Sequence, residues 1–244
     1  MILTLKYDTI LEKSAYVTLR REERYHYMEK KEQLYEGKTK DLFKTDDPEL
    51  LIVSYKDDSD QSGSEQEGKS ANKSKINNCM TNRIYRLLEQ EGIPTHYVQE
   101  LSDRETVIKA VKEIPIGVSV YNFASGDFSK RLGVGEGFDL LCPTMEFHYQ
   151  KEELGNPLIT QFDAVAMGLI SRENMQRLID STWKINQKLI EYFREKELEL
   201  VACALRFGEF HGQIVAIGEF SPVTCRLWDA ETYEEVEVYN RFEL

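Results

Sequence analysis

Cysteine and histidine are both scarce in this chain, with four of each among 244 residues. The cysteines lie far apart at positions 79, 142, 203 and 225, and none belongs to a Cys-x-x-Cys pair or a Cys/His cluster. Structural zinc sites and disulfide frameworks depend on such spacing, so we expect neither. The pattern favours isolated thiols in a protein of the reducing cytoplasm.

Long apolar runs are missing as well. No segment approaches the roughly 18 to 20 apolar residues that a membrane-spanning helix needs. The N-terminus also lacks a compact apolar stretch followed by a small-residue cleavage site. We therefore expect a cytoplasmic protein with no membrane partner.

Basic residues are the third deficit, because 31 lysines and arginines stand against 43 aspartates and glutamates, for a net charge of -12. Such a charge repels phosphate backbones, so we expect no nucleic-acid partner. Any bound nucleotide would need a local site built from basic side chains or backbone amides.

Apolar residues are plentiful enough for a folded core, since 41% of the chain is hydrophobic and 11% is aromatic. The length suits one large domain or two small domains packed together. Residues 1–27 differ in character, with a charged cluster at Arg20–Arg24 before Met28. We interpret them as an N-terminal extension, either loosely ordered or a lineage-specific addition, unless Met28 is the biological start.

The first part of the body predicts a small antiparallel sheet followed by a helix. Residues 34–43 read as a strand, a glycine-containing turn and a second strand, and residues 50–55 are apolar and β-branched like a third. The polar, Ser/Gly-rich stretch 57–69 predicts a loop. Apolar residues at helical spacing then predict a helix over 72–90.

Further along, Ser102 and Glu105 match a capping box, which predicts a second helix through Lys112. Residues 116–121 return as a strand.

The last part of the chain predicts one long helix and a hairpin. Ser171 can cap a helix of about 26 residues ending at Lys196, with an apolar stripe typical of a buried face. Two strand-like runs follow, 198–207 and 213–220, and the five residues between them suit a hairpin.

The tetrapeptide Gly37-Lys38-Thr39-Lys40 places one glycine and two lysines in the predicted turn between the first two strands. Backbone amides and ammonium groups in such a turn could face a polyphosphate. Taken alone, the pattern is more often a solvated hairpin, because short strings of this kind arise by chance.

The same tetrapeptide begins an ordered set of motifs. It is followed by Tyr55-Lys56-Asp57-Asp58, Glu67-Gly68-Lys69, Gly92-Ile93-Pro94-Thr95, Lys130-Arg131-Leu132-Gly133, Ser221-Pro222 and Cys225-Arg226-Leu227-Trp228-Asp229. In this order and spacing, the set resembles the SAICAR synthetase (phosphoribosylaminoimidazole-succinocarboxamide synthase) family of purine biosynthesis. The resemblance covers nearly the whole body of the chain, between the first 27 residues and the C-terminal end.

The resemblance implies an α+β fold with two lobes and a cleft between them. Residues 28–115 would form an N-terminal antiparallel sheet lobe that holds ATP. Residues 116–244 would form a larger mixed α/β lobe for the substrates, without the terminal helix that usually follows. The implied ligase uses ATP to join aspartate to a carboxylated aminoimidazole ribotide, and Mg²⁺ neutralises the polyphosphate in such a transfer. Its partners would be a nucleotide or ribotide, and a homo-oligomer stays open.

The family pattern also assigns site residues to this chain. The ATP-binding residues that it implies are Gly37, Lys38, Thr39, Lys40 and Glu219. The substrate-binding residues that it implies are Asn122, Ser125, Lys130, Arg131 and Arg226.

Several charged positions of the pattern are changed in this chain. The family strand reads roughly V-D-F-K-L-E-F-G, and its three charged residues are replaced by Ala202, Ala204 and Arg206. A further Asp expected to bind metal is Gly218. We therefore predict no metal ligands here, and catalytic residues stay unassigned.

The substrate side departs from the pattern too. The family Arg and Ser expected near the substrate phosphate are Tyr121 and Asp127 here. In the run that begins at Gly218, a second family Asp is Val223. Losing an arginine removes a bidentate phosphate contact, and an aspartate repels phosphate.

Three hypotheses stay open. The chain is a working ligase of this family on the usual or an altered substrate, a catalytically silent paralogue that binds a nucleotide or a partner subunit, or a binding module for a different ligand. Fold alone does not separate them, because function resides in the site.

Overall fold

The computed structural model describes residues 28–56 and 67–236, together with Tyr239, and for 67–72 only the backbone. The predicted extension 1–27, most of the predicted loop after Lys56 and the end of the chain lie outside the described residues. Within the described ranges, no helix is long and apolar enough to cross a membrane.

A five-stranded antiparallel sheet comes first in the described chain. Its strands are β1 (Gln33–Glu36), β2 (Lys40–Lys44), β3 (Leu50–Tyr55), β4 (Tyr97–Glu100) and β5 (Glu105–Lys109), in the spatial order β1-β2-β3-β5-β4. The predicted small antiparallel sheet is confirmed. Val107 is fully buried in its centre, beside Ile52 of β3.

Helix α1 (Glu67–Gln90) begins five residues earlier than predicted and ends where predicted. Its apolar residues at helical spacing, Ile76, Met80, Ile84 and Leu88, are all buried. The helix therefore contributes one face to the core, as the apolar spacing indicates.

The predicted helix from Ser102 to Lys112 is wrong. Residues 105–109 form β5, and Ser102 and Glu105 close a tight turn instead, in which the amide of Ser102 donates to the carbonyl of Glu105 at 3.2 Å. Thr106, Val107 and Ile108 are β-branched, which favours a strand over a helix. Because all three are buried, tertiary packing decides against the local capping signal.

A six-stranded antiparallel sheet forms the rest of the core. Its strands are β6 (Lys112–Phe123), β7 (Asp139–Tyr149), β8 (Leu158–Ile159), β9 (Leu198–Phe210), β10 (Gln213–Ile217) and β11 (Cys225–Asp229). The spatial order is β10-β9-β6-β7-β8, and β11 pairs with the other part of β9. Strand β9 is central and touches three neighbours, so its side chains line the middle of the sheet.

The hairpin of β9 and β10 is confirmed, but its connection has two residues rather than five. His211 and Gly212 both adopt positive φ, at 49° and 77°. Two left-handed residues suit the twist of a tight hairpin. Strand β9 thus runs on to Phe210, beyond the predicted end at 207, whereas β10 ends at Ile217 rather than at 220.

Four helices are described in total, the others being α2 (Gly126–Leu132), α3 (Gln161–Ala166) and α4 (Arg172–Arg194). A short 3₁₀ turn lies at Glu152–Leu154. The hydroxyl of Ser171 accepts from the amide of Asn174 and so caps α4, as predicted. The buried stripe of α4 packs on β9, which completes the larger core.

The two sheets meet along one seam. Thr95, just before β4, forms a parallel bridge with Ala216 of β10, and the amide of His96 donates to the carbonyl of Ala216 at 3.0 Å. Helix α1 lies at the same seam, where the Thr81 hydroxyl and the Phe220 backbone are 3.1 Å apart. The α+β fold is thereby confirmed, while the residue boundary between lobes stays a prediction.

Candidate functional site

The two faces of β9 differ sharply. Cys203, Leu205 and Phe207 are buried in the core, whereas Ala202, Ala204 and Arg206 alternate with them on the opposite, more accessible face. Alternation along a strand requires this division. Positions 202, 204 and 206 therefore lie side by side on one accessible surface.

Arg206 is fixed in place by two neighbours. Its Nη1 donates to Gln150 Oε1 at 2.7 Å, and its Nη2 forms an ion pair with Glu113. Its Nε is buried without a hydrogen-bond partner. A Cβ placed on Gly218 would lie 3.5 Å from the Arg206 Cβ, so the two changed positions 206 and 218 are immediate neighbours.

A cavity of about 340 Å³ opens on this face of the sheet. Arg206 lines it, and Ser119 of β6 faces His148 of β7 across it, with Ser119 Oγ 3.2 Å from His148 Nε2. Glu219 is the carboxylate among its lining residues. The cavity is therefore poor in negative charge.

The donor set of this region does not fit Mg²⁺, which prefers carboxylate oxygens in octahedral geometry. Among the described residues, no group of three His, Cys, Asp or Glu side chains could hold a metal ion. Glu219 is engaged by Lys40 Nζ at 3.7 Å and by the hydroxyl of Ser221. The absence of metal ligands at positions 202, 206 and 218 stays a prediction.

The turn that links β1 and β2 faces the same region. The amide of Gly37 donates to the carbonyl of Lys40 at 3.1 Å, and a Cβ at position 37 would lie only 2.6 Å from that carbonyl oxygen. Position 37 therefore requires glycine. Lys38 and Thr39 are exposed at the tip, while Lys40 reaches inward over the Tyr55 ring, 5.8 Å from its centroid.

Sequence reasoning missed a buried polar junction beneath the turn. The hydroxyl of Tyr85 donates to the carbonyl of Gly218 at 2.8 Å and lies 2.9 Å from His96 Nε2. Burial, with the charges of Lys40 and Lys109, lowers the pKa of His96 to about 3. His96 is thus neutral in the folded protein. The one sequence signal that could have indicated this junction was the helical spacing of Tyr85 from Thr81, which places both residues on the buried side of α1.

Tyr55 belongs to the same junction. Burial, followed by the charge of Glu219, raises the pKa of its phenol well above the usual range. Tyr55 thus stays protonated and acts as a hydrogen-bonding group rather than an acid.

The predicted substrate residue Asn122 faces the core. Its side-chain amide donates to Asn186 Oδ1 at 3.1 Å and to the carbonyl of Leu200 at 3.0 Å, and Asn186 donates back to Asn122 Oδ1 at 2.8 Å. The two side-chain amides thus hydrogen-bond to each other and connect β6 to α4.

The other predicted substrate residues gather around α2. Ser125 is the N-cap residue and is buried, but its hydroxyl makes no capping hydrogen bond. Lys130 is exposed in the last turn, and Arg131 is ion-paired with Glu146 of β7. The structure thus places these three near one another, with one cation already neutralised.

Arg226 of β11 is likewise held by acids. Its guanidinium lies 2.5 Å from Glu136 and 3.3 Å from Glu235, and it sits over the Trp228 ring at 5.9 Å. Both arginines predicted to bind substrate are therefore committed to carboxylates of this chain.

The changed residues on the substrate side add no positive charge. Tyr121 packs on Phe128 with ring centroids 4.9 Å apart, and burial, then the charge of Glu146, raises the pKa of its phenol. Asp127 is exposed in the first turn of α2.

Solved structures of one class of ligase share this fold. The chain superposes on the phosphoribosylaminoimidazole-succinocarboxamide synthase of Ehrlichia chaffeensis with a TM-score of 0.76 and 30% identity, covering 84% of this chain and 88% of that one. A SAICAR synthetase (Type-2) in complex with ADP gives a TM-score of 0.75 and 31% identity, covering 86% of this chain and 90% of that one.

Sequence comparison gives the same result. The family model described as SAICAR synthetase matches residues 33–242. Phosphoribosylaminoimidazole-succinocarboxamide synthase of Lachnoclostridium phytofermentans is 46% identical over 210 residues, 86% of this chain and 89% of that protein. That of Deinococcus radiodurans is 42% identical over 211 residues, with coverage of 86% and 89%. The chain therefore belongs to the SAICAR synthetase family, a family of purine-biosynthesis ligases, and the predicted family is confirmed.

Proposed function

We propose that this chain binds an adenine nucleotide at the β1 and β2 turn without a divalent metal ion, and that it has lost the amide-forming reaction of its family. It is then a nucleotide-binding member of a ligase family rather than a working ligase. The observation that carries the proposal is Arg206, fixed by Glu113 and Gln150 where the family pattern has a metal-binding carboxylate.

The nucleotide half of the proposal is supported by the turn. Gly37 permits a tight backbone there, and Lys38 and Lys40 place two positive charges beside it, in a chain that is acidic overall. Backbone amides and ammonium groups are suited to bind phosphates. A structural relative of this chain is in complex with ADP.

The lost reaction is supported by charge. A guanidinium about 4 Å from a cation repels it by roughly 4 kcal/mol at an effective dielectric near 20, and each unit of the metal charge adds to this. Glu113 pairs with Arg206 and offsets part of that repulsion, while Glu219, the carboxylate that could offset the rest, is itself paired with Lys40. Losing a single preorganised electrostatic contact typically costs about 100- to 1,000-fold in rate, and several are changed here.

Calorimetric titration with ATP, with and without Mg²⁺, tests the binding half. We expect the affinity to be nearly the same in both titrations, and to fall in Lys40→Met, because Lys40 Nζ reaches into the cleft. Lys44→Met is a matched control on the same strand, since Lys44 pairs with the exposed Glu32 instead. Tight binding that strictly requires Mg²⁺ would overturn this half.

Turnover tests the other half. Formation of the succinocarboxamide from the carboxylated ribotide, aspartate and ATP is expected to be undetectable under conditions where the Lachnoclostridium phytofermentans relative turns over. The triple variant Ala202→Asp, Ala204→Lys, Arg206→Glu is expected to gain Mg²⁺-dependent ATP binding, whereas the uncharged triple of similar shape, Ala202→Asn, Ala204→Met, Arg206→Gln, gains none. Robust turnover by the natural chain would reinstate the working ligase.

A further inference from the structure

Three aromatic rings surround a second cavity, of about 640 Å³, at the α2 end of the larger sheet. Phe123 ends β6, Trp228 lies on β11 and Tyr233 follows it. The Phe123 centroid is 5.6 Å from that of Trp228 and 6.4 Å from that of Tyr233, with interplanar angles of 45° and 68°. The rings therefore stand at angles around a shared space rather than stacking on one another.

Carboxylates form the rest of the wall. Glu136, Asp139 and Glu199 line the cavity, against a single guanidinium, that of Arg194. Arg194 is already held by Glu199, with its Nε and Nη2 at 3.2 and 3.3 Å from the two carboxylate oxygens. Asp139 is exposed and lies directly across the strand pair from Phe123. The lining thus carries net negative charge next to three aromatic rings, of which Tyr233 is exposed, Phe123 half-buried and Trp228 buried.

The residues around the cavity do not cancel the net negative charge of its lining. The nearby Arg226 is shared between Glu136 and Glu235. Its guanidinium also sits 5.9 Å from the Trp228 centroid, so this ring already accepts one cation in the folded chain. A phosphate or carboxylate ligand would be repelled here, whereas a cation would meet both aromatic rings and carboxylates.

We infer that this cavity binds a compact organic cation, an alkylammonium or quaternary ammonium group. Aromatic rings within about 6 Å of a cation attract it through their quadrupole, and rings set at angles recognise quaternary ammonium groups in particular. The carboxylates add Coulomb attraction without needing the short, regular geometry of a metal site. The net charge of -12 favours the approach of a cation from solution. The inference does not depend on the nucleotide proposal, because none of its residues belongs to the turn or to β9 positions 202–206.

A substitution at Tyr233 can distinguish whether the aromatic rings bind a ligand or only pack against one another. Its side chain is 56% exposed, so it contributes little to the core, yet its backbone holds a left-handed φ of 57°. A bulky residue is disfavoured in that conformation, and glycine is not. Tyr233→Gly therefore removes the ring and relieves the backbone at once, so it lowers ligand affinity without lowering stability.

Fluorescence of Trp228 gives a direct readout. The chain has two tryptophans, so Trp183→Phe leaves Trp228 as the sole reporter. This variant is titrated with choline and, separately, with 3,3-dimethylbutan-1-ol, which has the same shape and no charge. We expect a saturable change with choline that weakens with added salt, and none with the alcohol.

Four further substitutions are placed in the same background. Tyr233→Gly and Asp139→Asn are each expected to weaken choline binding by about fivefold or more, while Tyr233→Phe keeps it, since the ring rather than the hydroxyl attracts the cation. Phe162→Ala, which removes an exposed ring elsewhere, serves as the control for aromatic loss. Thermal unfolding of each variant is measured alongside to report folding.

Three results would overturn the inference. An equal response to choline and to the alcohol would mean that the cavity is only an apolar hole. No saturable response at concentrations up to about 50 mM, where even weak cation–π sites fill, would mean that no site exists. Choline affinity unchanged in both Tyr233→Gly and Asp139→Asn would place the binding elsewhere.

Discussion

The hydroxyl oxygen of Tyr85 lies 2.9 Å from Nε2 of His96, at the seam where the two sheets meet. The hydroxyl has one hydrogen and donates it to the carbonyl of Gly218. Its oxygen can therefore accept a hydrogen bond from His96 only if His96 is the tautomer with its proton on Nε2. The junction thus connects α1, the approach to β4 and the end of β10 through neutral groups.

The pH dependence of stability follows from this junction. The folded pKa of His96, about 3, is below its unfolded value near 6.5, so the unfolded state takes up a proton first and stability falls as pH drops below about 6.5. One proton gives a slope of up to about 1.4 kcal/mol per pH unit. Urea unfolding between pH 8 and 5 should show this slope in the natural chain and lose it in His96→Gln. His211→Gln, on an exposed histidine, is the control; a slope unchanged by His96→Gln would contradict the assignment.

Gly37→Ala should damage the nucleotide turn. The added Cβ would lie 2.6 Å from the Lys40 carbonyl oxygen, a backbone atom that cannot move aside as a side chain can. We expect a loss of about 1 to 3 kcal/mol in the free energy of unfolding, together with weaker ATP binding by calorimetry. Gly135→Ala adds a Cβ in open space and should change neither quantity. Full ATP affinity in Gly37→Ala would remove the turn from the proposed site.

Asn122→Ala should act on stability, because the Asn122 and Asn186 amides satisfy each other. Truncating one leaves a largely buried amide without its partner, at a cost of about 1 to 3 kcal/mol. The double variant with Asn186→Ala should cost clearly less than the sum of the two single variants, which chemical denaturation of all four proteins would measure. Additive costs would show that the pair is not coupled.

The four thiols should differ in reactivity. Burial raises the pKa of the Cys203 thiol and raises that of Cys225 to about 12, while Cys142 is exposed. Since the thiolate is the reactive form, iodoacetamide should label Cys142 in the native protein and reach Cys203 and Cys225 only after unfolding. Cys79, whose pKa is raised by partial burial and then by Glu100, should react slowly. Peptide mass spectrometry gives the labelling order, and rapid native labelling of Cys203 would contradict the packing of β9.

Elements with strong local periodicity could be predicted from the sequence. Helix α4 has a regular apolar stripe and a serine cap, and β3 is a pure β-branched and apolar run, so each was predicted nearly at its true bounds. The 102–112 segment was not, because its Ser and Glu fit two local motifs. Only burial of Val107 in the sheet decides between these motifs, and that burial depends on β3, some 55 residues away.

The candidate site was likewise predictable from the sequence only in part. Alternation along β9 was enough to predict that positions 202, 204 and 206 share a face. Their partners were not predictable, because Glu113 reaches Arg206 from β6 and Gln150 reaches it from just after β7, and no local pattern records such contacts. The aromatic cavity was missed for the same reason, since Phe123 and Tyr233 are 110 positions apart in the sequence.

Gly218 limits which side chains this part of the cleft can carry. Its φ of 97° lies where residues with a side chain are strained by about 1 to 3 kcal/mol, although space for a Cβ exists. Carboxylates at positions 202 and 206 would stand on ordinary strand backbone, but an aspartate at 218 would first require the main chain to rotate. That rotation would move the carbonyl that Tyr85 holds. Placing a carboxylate at position 218 is therefore a problem of backbone conformation as well as of side-chain identity.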